Sequence, residues 1–269
     1  MTPRFSALTT NLTIGIRDSG VGGLTVARRV LERLPDANLL YFADTAHVPY
    51  GDKTPAQVRH YALSISEFLI KQGAQMLVFA CNTTSALALD TARACFDVPI
   101  FGVIRPGARV AATLSQGKVG VLATAATVTS GVYSQVLRQY RADLEVREIG
   151  CPAFVPLVES EQTESVEALE ACKQYLAPLQ RMGADTVILG CTHYPLLLPA
   201  LEKIAPEIRF VDPAQAVAEE VAELVGPNAS GARGRRFFVS GERAGVGNWV
   251  GRLLEIERPI LEEGPVFDV

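Results

Sequence analysis

Short apolar runs and longer helical-period stretches alternate along this chain almost without interruption, and that alternation limits what it can fold into. Nine runs read as strands: 12–17, 38–43, 76–80, 99–103, 118–123, 144–149, 186–190, 208–211 and 236–240. Helical patterns occupy 22–34, 55–72, 84–95, 107–115, 128–140, 164–182, 195–205, 213–225 and 246–255. Strands that take turns with helices predict an α/β fold with mainly parallel sheets, because a parallel connection needs a crossover long enough to hold a helix. MLVFA (76–80) and TVILG (186–190) are almost continuously apolar, as strands covered on both faces should be.

The alternation also repeats. Gly15 in TIGIRDSGVGG matches Gly120 in KVGVLATAATV, and AHVPY (46–50) matches AFVPL (153–157). Cys81 in FACNTTSA matches Cys191 in LGCTHYPL, and Pro106 matches Pro213. The offsets are 105, 107, 110 and 107 residues, in chain order. Repetition at so steady a spacing predicts two similar, pseudo-symmetric α/β domains facing one another across a cleft. The expected division is 1–104 plus 213–269 for the first and 105–212 for the second. The last stretch is assigned to the first domain because RRFFVSG needs a sheet to join.

In open parallel sheets, ligands bind beyond the carboxyl ends of the strands. The polar residues of this chain gather there: Asp18-Ser19, Asp44-Thr45, Cys81-Asn82-Thr83-Thr84, Thr124 and Cys191-Thr192-His193. A lone buried cysteine is usually an inert small hydrophobe. Two at repeat-equivalent strand ends, each followed by polar residues, point to chemistry. Opposed across a cleft, they would remove a proton from one face of a ligand and return one to the other, inverting a carbon centre. A thiol with a pKa of ~8.5 needs help to act as a base, and a helix start supplies partial positive charge. His193 could exchange the Cys191 proton, and Asp18 could serve Cys81 in the same way.

Other readings of the same residues stay open. DSGVGGLT (18–25) follows a strand and opens a helix, but Thr25 stands where a dinucleotide fingerprint needs its third glycine. A carboxylate site at a glycine-rich helix start fits better. Cys151, Cys191 and His193 lack the spacing of a zinc site, so no metal is expected. Among the lysines only Lys53 falls near a strand-end motif, which leaves a pyridoxal cofactor without its anchor. Cys95 and Cys172 fall in helical patterns and read as structural. His60 reads as a helix-surface residue, and His47 lies near the cleft.

Composition excludes several function classes. A net charge of −4, with one short basic cluster at Arg233–Arg236, offers no nucleic-acid or polybasic membrane surface. No apolar run approaches the ~18 residues of a membrane helix. The opening MTPRFSALTTNL lacks the apolar core of a signal peptide and reads as a frayed lead-in. Five cysteines, an odd count with no C-x-x-C pair, fit a reducing cytoplasm better than a disulfide framework.

Taken together, DSGVGGLTV, YFADTAHVPYG, ACNTTSA, GVIRPGA and LGCTHYPLL resemble the glutamate racemases, cofactor-independent enzymes of the aspartate/glutamate racemase superfamily. The similarity runs from about Ile14 to Ser240. It implies that Cys81 deprotonates D-glutamate and Cys191 deprotonates L-glutamate. It further implies that Asp18, Ser19, Pro49, Tyr50, Gly51, Asn82, Thr83, Thr124, Thr192 and His193 hold substrate, and that Glu159 of FVPLVE partners the histidine. D-glutamate supply for peptidoglycan and a homodimer are part of the same implication. Arg17 departs from the family, which usually has an apolar residue there. In an extended strand it would face away from Asp18, toward a helix carboxylate, a dimer surface or the cleft rim. Aspartate racemase differs from this reading by one substrate methylene, worth only ~1–3 kcal/mol of discrimination. A non-catalytic amino-acid-binding protein on the same scaffold is the alternative of a different class.

Overall fold

The computed structural model describes residues 11–226, 231–243 and 245–268. The lead-in up to residue 10 lies outside the described residues. The strands are β1 (Thr13–Asp18), β2 (Asn38–Ala43), β3 (Met76–Phe79), β4 (Ile100–Gly102), β5 (Lys118–Ala123), β6 (Glu145–Gly150), β7 (Thr186–Gly190), β8 (Arg209–Val211), β9 (Arg235–Val239) and β10 (Leu261–Glu263). The helices are α1 (Leu24–Arg33), α2 (Pro55–Lys71), α3 (Asn82–Leu87), α4 (Leu89–Cys95), α5 (Ile104–Leu114), α6 (Ala125–Ser130), α7 (Val132–Tyr140), α8 (Phe154–Glu159), α9 (Val166–Met182), α10 (Leu198–Ile204), α11 (Pro213–Val225) and α12 (Val246–Leu254). Short 3-10 turns cover Tyr50–Asp52 and Tyr194–Leu197.

The strands make two sheets, ordered β10-β9-β2-β1-β3-β4 and β6-β5-β7-β8, and every pairing among the described residues is parallel. The α/β class with parallel sheets therefore holds. Within the first sheet, β2-β1-β3-β4 has the same order as the whole of the second. Thr13 corresponds to Lys118, Asn38 to Glu145 and Met76 to Thr186, the spacing of the sequence repeat. The first sheet gains two strands at its β2 edge, where Tyr41 pairs with Phe237 in β9. RRFFV thus joins the sheet that contains β1.

Packing explains the repeated glycine. A Cβ on Gly15 would lie 2.7 Å from Leu77 Cδ2, and one on Gly120 would lie 2.6 Å from Leu179 Cδ1. Each central strand is crowded at that point by an apolar side chain, and only glycine leaves the room. The strands between are saturated with burial: Ile14, Ile16, Leu77, Val78, Val121, Leu122, Ile188 and Leu189 are all at most 1% exposed. Helix α2 starts where its sequence says it should. Thr54 and Gln57 form a reciprocal capping box, with Pro55 in the first turn.

Candidate active site

The carboxyl ends of β1, β3, β5 and β7 converge on one cavity of about 320 Å³. Cys81, just past β3, and Cys191, just past β7, both line it. Ser19, Pro49, Tyr50, Gly51, Asn82, Thr83, Thr124, Glu159, Thr192 and His193 line it as well. So the site residues expected from sequence are brought together, with one exception. Asp18 is wholly buried and does not reach the wall. Its carboxylate accepts from Gly20 N at 3.1 Å and from Thr192 Oγ1 at 3.5 Å, so it sits behind the cavity and touches both halves.

The wall also includes residues to which the sequence assigns no site role: Val48, Asp52, Ala125, Pro152, Val155, Pro156 and Tyr194, together with Cys151, which it weighs only as a zinc ligand. A signal existed for some of them. AHVPY and AFVPL are repeat partners, and Val48-Pro49 and Val155-Pro156 face the same cavity from opposite halves. Cys151 has no charged partner; burial pushes its thiol well up, away from reactivity. The described residues that line the cavity include no Lys or Arg. Its donors are hydroxyls, amides, thiols and one imidazole.

Around Cys191 the groups form a relay. His193 Nδ1 lies 3.8 Å from Cys191 Sγ, and His193 Nε2 lies 3.2 Å from Glu159 Oε1. Burial pulls the imidazole toward neutrality. The Cys191 and Glu159 hydrogen bonds and the nearby charges of Cys191 and Asp18 outweigh it, and the His193 pKa is pushed up to about 10. A protonated His193 can donate through both ring nitrogens, to the sulfur and to the carboxylate. Close approach of the two halves makes this possible. A Cβ on Gly22 would stand 2.4 Å from Thr192 Oγ1 and 2.5 Å from His193 Nδ1.

Cys81 has a different setting. It is 6% exposed, and burial, then the Asp18 charge, raises its thiol above the ordinary value, while Arg17 pulls it down. The next residue, Asn82, has its orientation set from the other half: Tyr133 Oη donates to Asn82 Oδ1 at 2.7 Å. That leaves the Asn82 amide nitrogen as its free donor. Thr83 Oγ1 lies 2.9 Å from Thr124 Oγ1 and 3.2 Å from Thr127 Oγ1, a hydroxyl cluster that also joins the halves.

Arg17 is neither on the cleft rim nor paired with a helix carboxylate. It is completely buried, and its Nη2 donates to Tyr50 Oη at 3.0 Å. Tyr50 Oη in turn donates to Asp44 Oδ2, a carboxylate that also accepts from Ser240 Oγ and pairs with His47 Nδ1. His47 is thereby a packed support that stacks on Tyr61. Of the remaining cysteines, Cys172 is buried in α9 and Cys95 is exposed at the end of α4, away from the cavity.

Fold and site together define a two-sheet parallel α/β protein with paired thiols on one cavity, equipment suited to moving a proton on and off a single carbon. The chain belongs to the Asp/Glu/Hydantoin racemase family, whose model matches residues 24–221. It is 43% identical over 257 residues to the glutamate racemase of Desulforudis audaxviator, covering 89% of this chain and 94% of that one. Its structure matches that of Bacillus anthracis glutamate racemase isoform RacE1 with a TM-score of 0.89 at 32% identity, over 95% of this chain and 98% of the other. A glutamate racemase from Francisella tularensis in complex with D-glutamate matches with a TM-score of 0.87 at 29% identity, over 95% and 98% of the two chains.

Proposed function

We propose that this chain interconverts L- and D-glutamate without a cofactor, using Cys81 and Cys191 as the two acid–base groups. The observation that carries this reading is that two thiols at repeat-equivalent strand ends line one cavity from its two halves. One thiolate takes the α-proton from one face of the substrate. The other thiol then delivers a proton to the opposite face of the planar intermediate. His193, oriented by Glu159, accepts or supplies the Cys191 proton. Ser19, Tyr50, Gly51, Asn82, Thr83, Thr124 and Thr192 hold the substrate's carboxylates and amine by hydroxyl, amide and backbone groups. Asp18, off the cavity wall, acts by holding Thr192 and the charge balance around it. The close relatives named as glutamate racemases favour glutamate over aspartate. The same reading assigns the first domain to 1–104 plus 213–269 and the second to 105–212. It makes the protein a cytoplasmic homodimer that supplies D-glutamate for peptidoglycan.

Proton NMR of each enantiomer in heavy water tests the mechanism. Cys191→Ala is expected to retain slow exchange of the D-glutamate α-hydrogen through Cys81, and Cys81→Ala to retain it for L-glutamate through Cys191. Each loses racemisation by several orders of magnitude, since one positioned acid–base group contributes ~10²–10⁴-fold. A single mutant that still racemises near the wild-type rate, or two mutants that exchange the same enantiomer, would overturn the two-thiol mechanism.

A further inference from the structure

Cys191 has an imidazole beside it; Cys81 is followed by Asn82 and Thr83 and has none. The first sheet instead buries a cation beside the strand that delivers its cysteine, at a position where the second has none. Arg17 is the penultimate residue of β1, and the equivalent position in β5 is Leu122. The Arg17 carbonyl accepts from Ala80 N at 3.0 Å, and its Cα pairs in register with Phe79, so it lies against the strand that delivers Cys81. Its guanidinium carbon sits 5.4 Å from the centre of the Tyr50 ring and 5.5 Å from that of Phe79. Nη2 bonds to a neutral phenol, and Nε and Nη1 have no acceptor among the described residues. Asp44 is reached only through Tyr50. A wholly buried cation without a directly bonded anion is costly to keep, and such groups concentrate where the charge is used.

We propose that Arg17 is a positioning residue for the Cys81 half of the site: its guanidinium is the positive charge set against the strand that delivers Cys81, as the His193 imidazole is set beside Cys191, and it holds Tyr50 on the cavity wall. The proposal rests on the reading of Cys81 as a proton-transfer group. Tyr50, which Arg17 holds, lines the same cavity as Cys81, and Tyr50, Phe79 and Cys81 share one buried cluster. The charged and titratable groups whose fields reach this thiol are Asp18 and Arg17 on β1, Tyr41 on β2 and Tyr50 on the 3-10 turn, with Asp44 behind Tyr50. Among them Arg17 is the cation. Burial and Asp18 push the thiol up; Arg17 opposes both, and hydrogen bonding from Thr84 adds to its effect.

Steady-state rates cannot isolate the two thiols, because an equilibrium constant of one forces kcat/KM to be equal in both directions. The thiols are therefore read directly. Wild type, Arg17→Met and Arg17→Lys are alkylated with iodoacetamide across a pH series, and modification at Cys81 and Cys191 is followed by peptide mass spectrometry. Arg17→Met is expected to raise the midpoint for Cys81 by about one pH unit and to leave that for Cys191 in place. Arg17→Lys, which keeps the charge, should restore the Cys81 midpoint toward wild type. Should Arg17→Met not fold, Arg17→Gln replaces it under the same criteria, retaining a donor for Tyr50. An unmoved Cys81 midpoint, an equal shift at both cysteines, or a lysine variant displaced as far as the methionine variant would each overturn the proposal. Labelling needs no turnover, so this result stands apart from the exchange experiment on the two-thiol mechanism.

Discussion

Burial alone would strip a histidine of its proton, yet His193 is buried and holds its proton up to about pH 10. One exposed-side partner, Glu159, accounts for part of that reversal, so Glu159→Gln should lower the midpoint of the His193 ring. A proton NMR titration reads it directly, and an unchanged midpoint would remove Glu159 from the relay. The same shift sets a stability trend. The folded pKa of about 10 lies above the ordinary value of 6.5, so the stabilisation is complete below about pH 6.5 and is lost as pH rises through about 10. Urea denaturation between pH 7 and 10 should show wild-type stability falling, and Glu159→Gln falling less. A second prediction concerns the hydroxyls that replace a cationic clamp. Thr83→Val and Thr192→Val should raise KM and cost about 1–3 kcal/mol in kcat/KM, the usual cost of unpaired buried polar partners. Steady-state kinetics on both enantiomers checks this, and unchanged kinetics would mean that these hydroxyls do not touch substrate. The two cysteines and Ser19, Asn82, Thr83, Thr124, Thr192 and His193 were legible because each sits in a motif at a strand end; Pro49, Tyr50, Gly51 and Glu159 were legible only through the resemblance. Arg17 was not: alternation told which way it points, but nothing in a single sequence says that the helix layer on that side leaves a buried, aromatic-lined space for it.

At the level of elements, the nine strands expected from apolar runs all form, within one or two residues at their ends. The signal is strongest in β1, β2, β3, β5 and β7, which are covered on both faces, and rests on alternation in the exposed edge strand β6. β10 was missed, since Leu261–Glu263 is three residues long, half-exposed and without alternation. α8 was missed because FVPLVE has a proline in its middle and only six residues; Pro156 falls early enough in the helix to be tolerated. Two expected helices are each broken in two. Gly131, at φ +63°, separates α6 from α7, and Ala88 separates α3 from α4. Both breaks lie just after a cavity-lining segment, where the chain turns away from the site. The glycine run before α1 has a job visible only in three dimensions. Gly22 lets the start of α1 rest against Thr192 and His193 of the other half. Gly22→Ala should therefore displace His193, lowering kcat/KM by about a hundredfold or more, while costing roughly 1–3 kcal/mol of stability as an overpacked contact. Enzyme kinetics beside thermal unfolding separates the two effects. Near-normal activity would show that the halves yield without cost at this point.

Across the whole molecule, a repeated unit yields a site that neither copy could build alone. Each sheet presents a cysteine, but several of the groups that orient one half's polar residues come from the other half. Thr192 leans on Asp18, Thr25 donates to the Thr192 carbonyl, and the Thr83, Thr124 and Thr127 hydroxyls bond in a ring. A further buried link joins Tyr133 to Asn82, between α7 and the first residue of α3. It decides which end of the Asn82 amide faces the cavity: with Oδ1 bound by the phenol, the amide nitrogen is left to donate to a carboxylate. Tyr133→Phe removes only the hydroxyl, so packing at this fully buried ring is kept. The Asn82 oxygen then loses its partner, at about 1–3 kcal/mol, and the amide is free to turn. Affinity for the anionic substrate should suffer more than the fold does. We expect KM to rise and kcat/KM to fall by about tenfold or more, equally from the L and D sides. The midpoint of thermal unfolding should drop by only a few degrees. The decisive comparison is with Asn82→Ala, which removes the donor itself. If Tyr133 acts only by orienting Asn82, the double mutant should be no worse than Asn82→Ala alone. Fully additive losses would mean that the phenol acts on the site by some other route, and that the halves are joined there by packing alone.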